Sequence, residues 1–263
     1  MRRNVLLHPN SNNGEFLMIA NALAILTGLS VTPSASLSSP AELELRVMPE
    51  LRRHAQMASD CFHDQNWNKS IAHADTVLLL GSTSYSIQFD SSSKEDEKKC
   101  RDAVGQAVSM WESALEHQVQ FAESSEPNIQ FRFEKEVKSA NREVGGHVQW
   151  NRSVSANSAG EYVPKLTATI WVRTDQPNGK AMKPDHLKHV IAHELGHILG
   201  LNDSKRVGDI MGPLDLKSPA KSLAKNEIQA ISTIRNQALQ MRKACLLSAL
   251  EELEGYNLPR ATR

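Results

Sequence analysis

The chain has 263 residues, with 30 Lys plus Arg against 30 Asp plus Glu and a formal net charge of zero. That balance lends no electrostatic support to nucleic-acid binding, and an aromatic content of 5% offers few stacking platforms for bases. A hydrophobic content of 40% excludes both disorder of the whole chain and a polytopic membrane protein.

Three cysteines, Cys61, Cys100 and Cys245, are too few for a disulfide scaffold. A Cys61–Cys100 pair and three buried thiols both stay open. No CxxC is present, which argues against a thiolate zinc site.

Arg2 and Arg3 precede an apolar run, FLMIANALAILTGLSV, from Phe16 to Val31. TPSAS comes next, with Ala35 as a cleavage residue. Residues 1–35 are expected to be a signal peptide, and the protein to be secreted or periplasmic. Sixteen residues interrupted by Asn21, Thr27 and Ser30 are short for a span, so no stable membrane anchor is expected after cleavage.

Residues 36–82 read as a Ser/Pro/Ala-rich linker and then a helical hairpin. LRRHAQMASDCF and NWNKSIAHADTVLLL carry the helical pattern, with a break at Asp64 to Asn66. The hairpin is either a prosegment or a brace on the domain downstream of it.

At Ser84 the pattern changes. TSYSIQFD alternates, as a strand should, with Ile87 and Phe89 inward. Ser92, Ser93, Glu95 and Asp96 supply helix-starting chemistry. Val104, Val108, Trp111 and Leu115 then form one apolar stripe of a helix running to about His117. NIQFRF (128–133), GGHVQW (145–150) and KLTATIWVR (165–173) are three further strands, with a polar loop from Ser153 to Gly160. The last is expected to be a sheet edge. Pro184 and Asp185 open another helix. Strand, helix, strands, helix implies an α+β fold with a mixed sheet covered by helices.

The helix beginning at Pro184 contains VIAHELGHILGLNDS, residues 190–204. His193 and His197 are four apart and share one face. Glu194 adjoins the first of them, which completes the HExxH arrangement of zinc hydrolases. Gly200 can adopt a left-handed conformation, end the helix and turn the chain back. That return brings Asp203 round as a third ligand, leaving the fourth tetrahedral position open. Met211 lies a little further on in GDIMGP, placed to floor the site with a soft side chain.

These residues resemble the metzincin zinc metallopeptidases, in their matrixin-like branch. The metzincin pattern is HExxHxxGxxH and then a Met-turn. His193, Glu194, His197 and Gly200 match it, DIMGP stands for the Met-turn, and Asp203 replaces the third His, as in snapalysin-type enzymes. SLAKNEIQAISTI (222–234) resembles the final matrixin helix. The resemblance implies a metzincin-like zincin fold: a mixed twisted sheet, an active-site helix and a C-terminal helix, here with an added N-terminal helical hairpin. It implies a catalytic domain at 83–236, with residues 237–263 as a helical extension packed on the hairpin.

It also implies a zinc metalloendopeptidase. One catalytic Zn²⁺ would sit on His193, His197 and Asp203, with Gly200 and Met211 in supporting roles. Glu194 would be general base, and the partner a peptide or protein substrate. No nucleic-acid partner is implied, and oligomeric state is left open. The matrixin HxD run and the cysteine-switch motif are absent, so no structural zinc is expected. The calcium loops are not recognisable, which leaves calcium open. The pocket beyond the metal would be lined by Pro213 and Leu214.

His186 and His189 fall on the same stripe as His193, as supporting residues or additions to the site. Two rivals remain. One is a thermolysin-like enzyme that takes Glu227 as its third ligand. The other is a catalytically silent peptide-binding module on the same scaffold.

Overall fold

The computed structural model describes residues 46–90 and 94–257. The expected signal peptide, the linker up to residue 45 and the Ser92–Ser93 capping residues lie outside them. Among the described residues no helix is long and apolar enough to cross a membrane.

Helix α1 spans Pro49–His63. Pro49 at its start needs no N–H partner, and the buried Leu51, His54, Ala58 and Cys61 recur at three- and four-residue spacing. The chain reverses through Gln65, at a φ of 57°. Asn66 then caps α2, Trp67–Leu78, by accepting the Lys69 N–H. The two helices form the expected hairpin, whose connection runs through Asp64, Gln65 and Asn66.

Strand β1 (Ser84–Phe89) lies parallel to β3 (Ile129–Glu134), with α3 (Lys94–Ala114) as the crossover between them. A short β2 (Ala122–Glu123) flanks β1. Strand β7 (Tyr162–Arg173) runs parallel to β3, and β6 (Gly146–Ala156) runs antiparallel to β7. The sheet order is β2-β1-β3-β7-β6, a mixed sheet. A small hairpin of β4 (Val137–Ser139) and β5 (Arg142–Val144) precedes β6. Its turn residues Ala140 and Asn141 both have positive φ, the twist that suits a two-residue hairpin.

Two expectations change here. β7 is not a sheet edge: it is bonded on both sides, and β6 is the edge on that side of the sheet. Nor do residues 153–156 belong to a loop. They continue β6, because an eleven-pair ladder with β7, from Gly146↔Val172 to Ala156↔Tyr162, satisfies their backbone. The turn is confined to residues 157–161.

Alternation buries Ile129, Phe131 and Phe133 of β3, and Leu166, Ala168, Ile170 and Val172 of β7, on one face. Against it packs α4, Pro184–Leu199, through Leu187, Ile191, Leu195 and Ile198. The α3 stripe is buried as expected, and Trp111 Nε1–H donates to Ala192 O of α4 at 2.8 Å.

The last helix, α5 (Lys225–Asn257), lies against α2. Arg235 donates to Leu78 O and Gln118 O at 3.0 Å each, and Arg242 meets Asp75 at 2.7 Å. Cys245 Sγ–H donates to Ser70 Oγ. All three cysteines are free and buried, which resolves the Cys61–Cys100 question in favour of thiols. Burial raises each of their pKa values, that of Cys100 to about 11. They are therefore poor nucleophiles.

Candidate metal centre

Helix α4 ends where the sequence requires it. Gly200 takes φ 104°, and the Leu201 N–H reaches back to Gly196 O at 2.9 Å. This left-handed stop turns the chain across the face that bears His193 and His197. An alanine would be strained at that φ, and its Cβ would overlap Leu51 Cδ2. Gly196, one turn earlier, gives room to Met211: a Cβ there would overlap the methionine sulfur.

The return places Asp203 Oδ1 3.1 Å from His193 Nε2 and 3.5 Å from His197 Nε2. The three candidate ligand atoms lie within 4.8 Å of one another. Among the described residues, this is the one such group of His, Cys, Asp and Glu. The far side of each ring is already engaged. His193 Nδ1–H donates to Ile210 O at 2.9 Å, and His197 Nδ1–H donates to Leu201 O at 2.8 Å. Protons held on Nδ1 leave both Nε2 lone pairs facing Asp203, the tautomer a metal ligand needs.

The electrostatics agree with that reading. The two imidazoles of His193 and His197, facing Asp203, hold its carboxyl far below the usual carboxylate range. Burial pulls the His193 pKa down, but Asp203, Glu194 and the Ile210 carbonyl outweigh it and the net shift is upward. Glu194 is 5% exposed. Burial raises its pKa against the pull of His193 and His197.

The Met-turn is tied from three directions. Ser204 N–H donates to Met211 O at 2.6 Å, and Ser204 Oγ–H donates to Asp209 at 3.1 Å. Met211 N–H donates to Glu227 Oε1 at 2.7 Å, while Glu227 Oε2 accepts the Ala224 N–H at the start of α5. Glu227 is fully buried with both oxygens used, so it is an anchor for the turn and not a third ligand. Ala224 cannot complete a capping box, so no sequence motif announces that role.

His186 and His189 are buried and outside the metal group. His186 Nε2–H donates to Leu216 O, and His189 Nδ1 accepts the Ala220 N–H, so both pin the loop after the Met-turn to α4. That loop sends Pro213 and Leu214 into the lining of an open cleft of about 450 Å³. The cleft also contains His193, Glu194, His197 and Asp203. Met48 and Trp150 are among the lining residues that sequence reasoning missed. They are 102 residues apart in the chain, and no spacing links them.

With this geometry in place, comparison with known families is decisive. The family model of the matrixins, peptidase family M10, matches residues 79–235, more than half of the chain. The chain belongs to the matrixin family. No curated protein matches it. Its α+β architecture is a metzincin-like zincin fold. It carries a metzincin-type zinc metallopeptidase domain whose metal-binding triad is His/His/Asp, a departure from the usual metzincin third histidine. Two neutral imidazoles and a carboxylate, with both Nδ1 positions occupied by carbonyls, form a donor set that fits zinc. The matrixin match stops short of the hairpin before residue 79 and of most of α5 after residue 235.

Proposed function

We propose that this matrixin is a zinc-dependent endopeptidase of the snapalysin type. His193, His197 and Asp203 hold the metal, and Glu194 is the general base. What carries the reading is the convergence of two Nε2 atoms and one carboxylate oxygen beside a buried glutamate, in a cleft open to solvent.

Bound zinc would supply Lewis acidity toward a water and the scissile carbonyl. The rest falls to the chain's own groups. Burial brings the Glu194 carboxylate closer to neutral in proton affinity, so it can take a proton and later return it to the leaving amine. Asp203 adds a negative charge that a third histidine lacks, which tempers the acidity of the metal. Edge strand β6 borders the cleft through Gly146, His147 and Val148. An extended substrate aligns there by main-chain hydrogen bonds, a role that the sequence pattern alone would place on the neighbouring strand β7. Pro213 and Leu214 face the residues after the scissile bond.

The test compares wild type with Glu194→Gln on a peptide library, with zinc content measured in both. The expected outcome is equal zinc and a loss of cleavage of roughly 10²- to 10⁴-fold. Unimpaired cleavage by Glu194→Gln would contradict the assigned base. A zinc-loaded wild type that cleaves no peptide would instead point to the silent module.

A further inference from the structure

The residues ahead of the matrixin match build one side of its cleft. Val47 bridges Leu201 in antiparallel fashion. Met48 N–H donates to Gly200 O, and Asn202 N–H donates to Arg46 O, each at 2.8 Å. Asn202 Nδ2 adds a bond to Val47 O at 3.2 Å. The next residue is Asp203, so this short ladder fixes the backbone that delivers the third ligand. Arg46 also reaches Asp209 at 3.5 Å, behind the Met-turn.

A second tie leads to His197. Glu50 Oε2 accepts the Trp150 Nε1–H at 2.8 Å. The indole lies within 10° of parallel to the His197 imidazole, with ring centroids 6.4 Å apart. Rotating the indole away would break the bond to Glu50. Leu51 fills the space over Gly200, and Met48 reaches the cleft lining.

We propose that residues 46–51 are a permanent wall of the metal cleft, in which Glu50 is a positioning residue that sets the His197 imidazole through Trp150. The inference rests on reading His193, His197 and Asp203 as zinc ligands. It also chooses between the two roles that the sequence leaves open for the hairpin. A removable prosegment would leave Gly200 O and Asn202 N–H without their backbone partners, whereas a brace keeps them. The anchoring of α2 to α5 through Arg235 and Arg242 holds the brace in place.

The experiment uses the full chain with Glu50→Ala, Glu50→Gln and Trp150→Phe. Zinc affinity is read by chelator competition and ligand geometry by the visible spectrum of the cobalt-substituted protein, with circular dichroism reporting folding. Glu50→Ala should lower zinc affinity roughly 10- to 100-fold, the usual effect of losing an outer-shell partner, and should perturb the cobalt spectrum. Glu50→Gln keeps an acceptor oxygen and should restore most of both. Trp150→Phe keeps the ring but loses the donor, and combining it with Glu50→Ala should add little.

Wild-type affinity and an unchanged cobalt spectrum in a folded Glu50→Ala protein would overturn the proposal while leaving the peptidase reading intact. So would a loss that Glu50→Gln fails to restore. A wild-type chain that binds no zinc would remove the peptidase reading, and this inference with it.

Discussion

At the residue scale, the site depends on where single atoms are permitted. Gly200 is the clearest case, since it needs both a positive φ and the absence of a Cβ beside Leu51. Gly200→Ala should destabilise the fold by roughly 2–4 kcal/mol, from backbone strain added to overpacking. Chemical denaturation would measure it, and a change near zero would mean that the turn accommodates a side chain freely. Asp203→Ala should lower zinc affinity by more than roughly 100-fold, because outer partners alone commonly cost 10- to 100-fold. The ligand residues were legible in the sequence because helical spacing and one glycine dictate their geometry. Trp150 and Glu50 were not, because a hydrogen bond between residues 100 apart has no sequence period. Glu227 was visible as an acidic group, yet only its burial against Met211 N–H and Ala224 N–H reveals what it does.

At the element scale, the hairpin contains a pH-sensitive contact. His54 of α1 and His73 of α2 place their Nδ1 atoms 3.0 Å apart, so one must donate while the other accepts. Burial, then His54 and Lys69, lowers the His73 pKa to about 4. Burial also lowers that of His54, with Arg152 and Arg53 adding to the shift and Glu50 opposing it. The folded hairpin thus refuses protons that the unfolded chain binds below about 6.5. The resulting stability is complete above that pH and is lost as pH falls toward 4, by roughly 1–3 kcal/mol. A His54→Leu/His73→Leu variant should show a flatter fall of the thermal midpoint between pH 6.5 and 4. His189, also near 4, would supply what remains of the slope. An unaltered slope in the double variant would contradict this assignment. Strand existence was readable from alternation in NIQFRF and KLTATIWVR, but strand order was not. Residues 153–156 alternate Ser with Val and Ala beside a polar loop, and their partner strand is what makes them β.

At the scale of the whole molecule, the cleft has three walls of different origin. Edge strand β6 and the loop after Met211 lie within the matrixin match, whereas the wall at 46–51 lies outside it. The α+β class was legible in the order of elements. The long-range closure of residue 47 onto residue 201 was not, since it depends on tertiary packing of α1, α2 and α5. One measurement bears most directly on the metal centre: X-ray absorption at the zinc edge of the purified full-length chain. The expected result is one zinc per chain, with two histidine nitrogens at about 2.0–2.1 Å and oxygen ligands completing a four-coordinate shell. Asp203→Ala should change the oxygen contribution and leave both nitrogens. A chain without stoichiometric zinc, a sulfur-containing shell, or a spectrum indifferent to Asp203→Ala would contradict the His/His/Asp site.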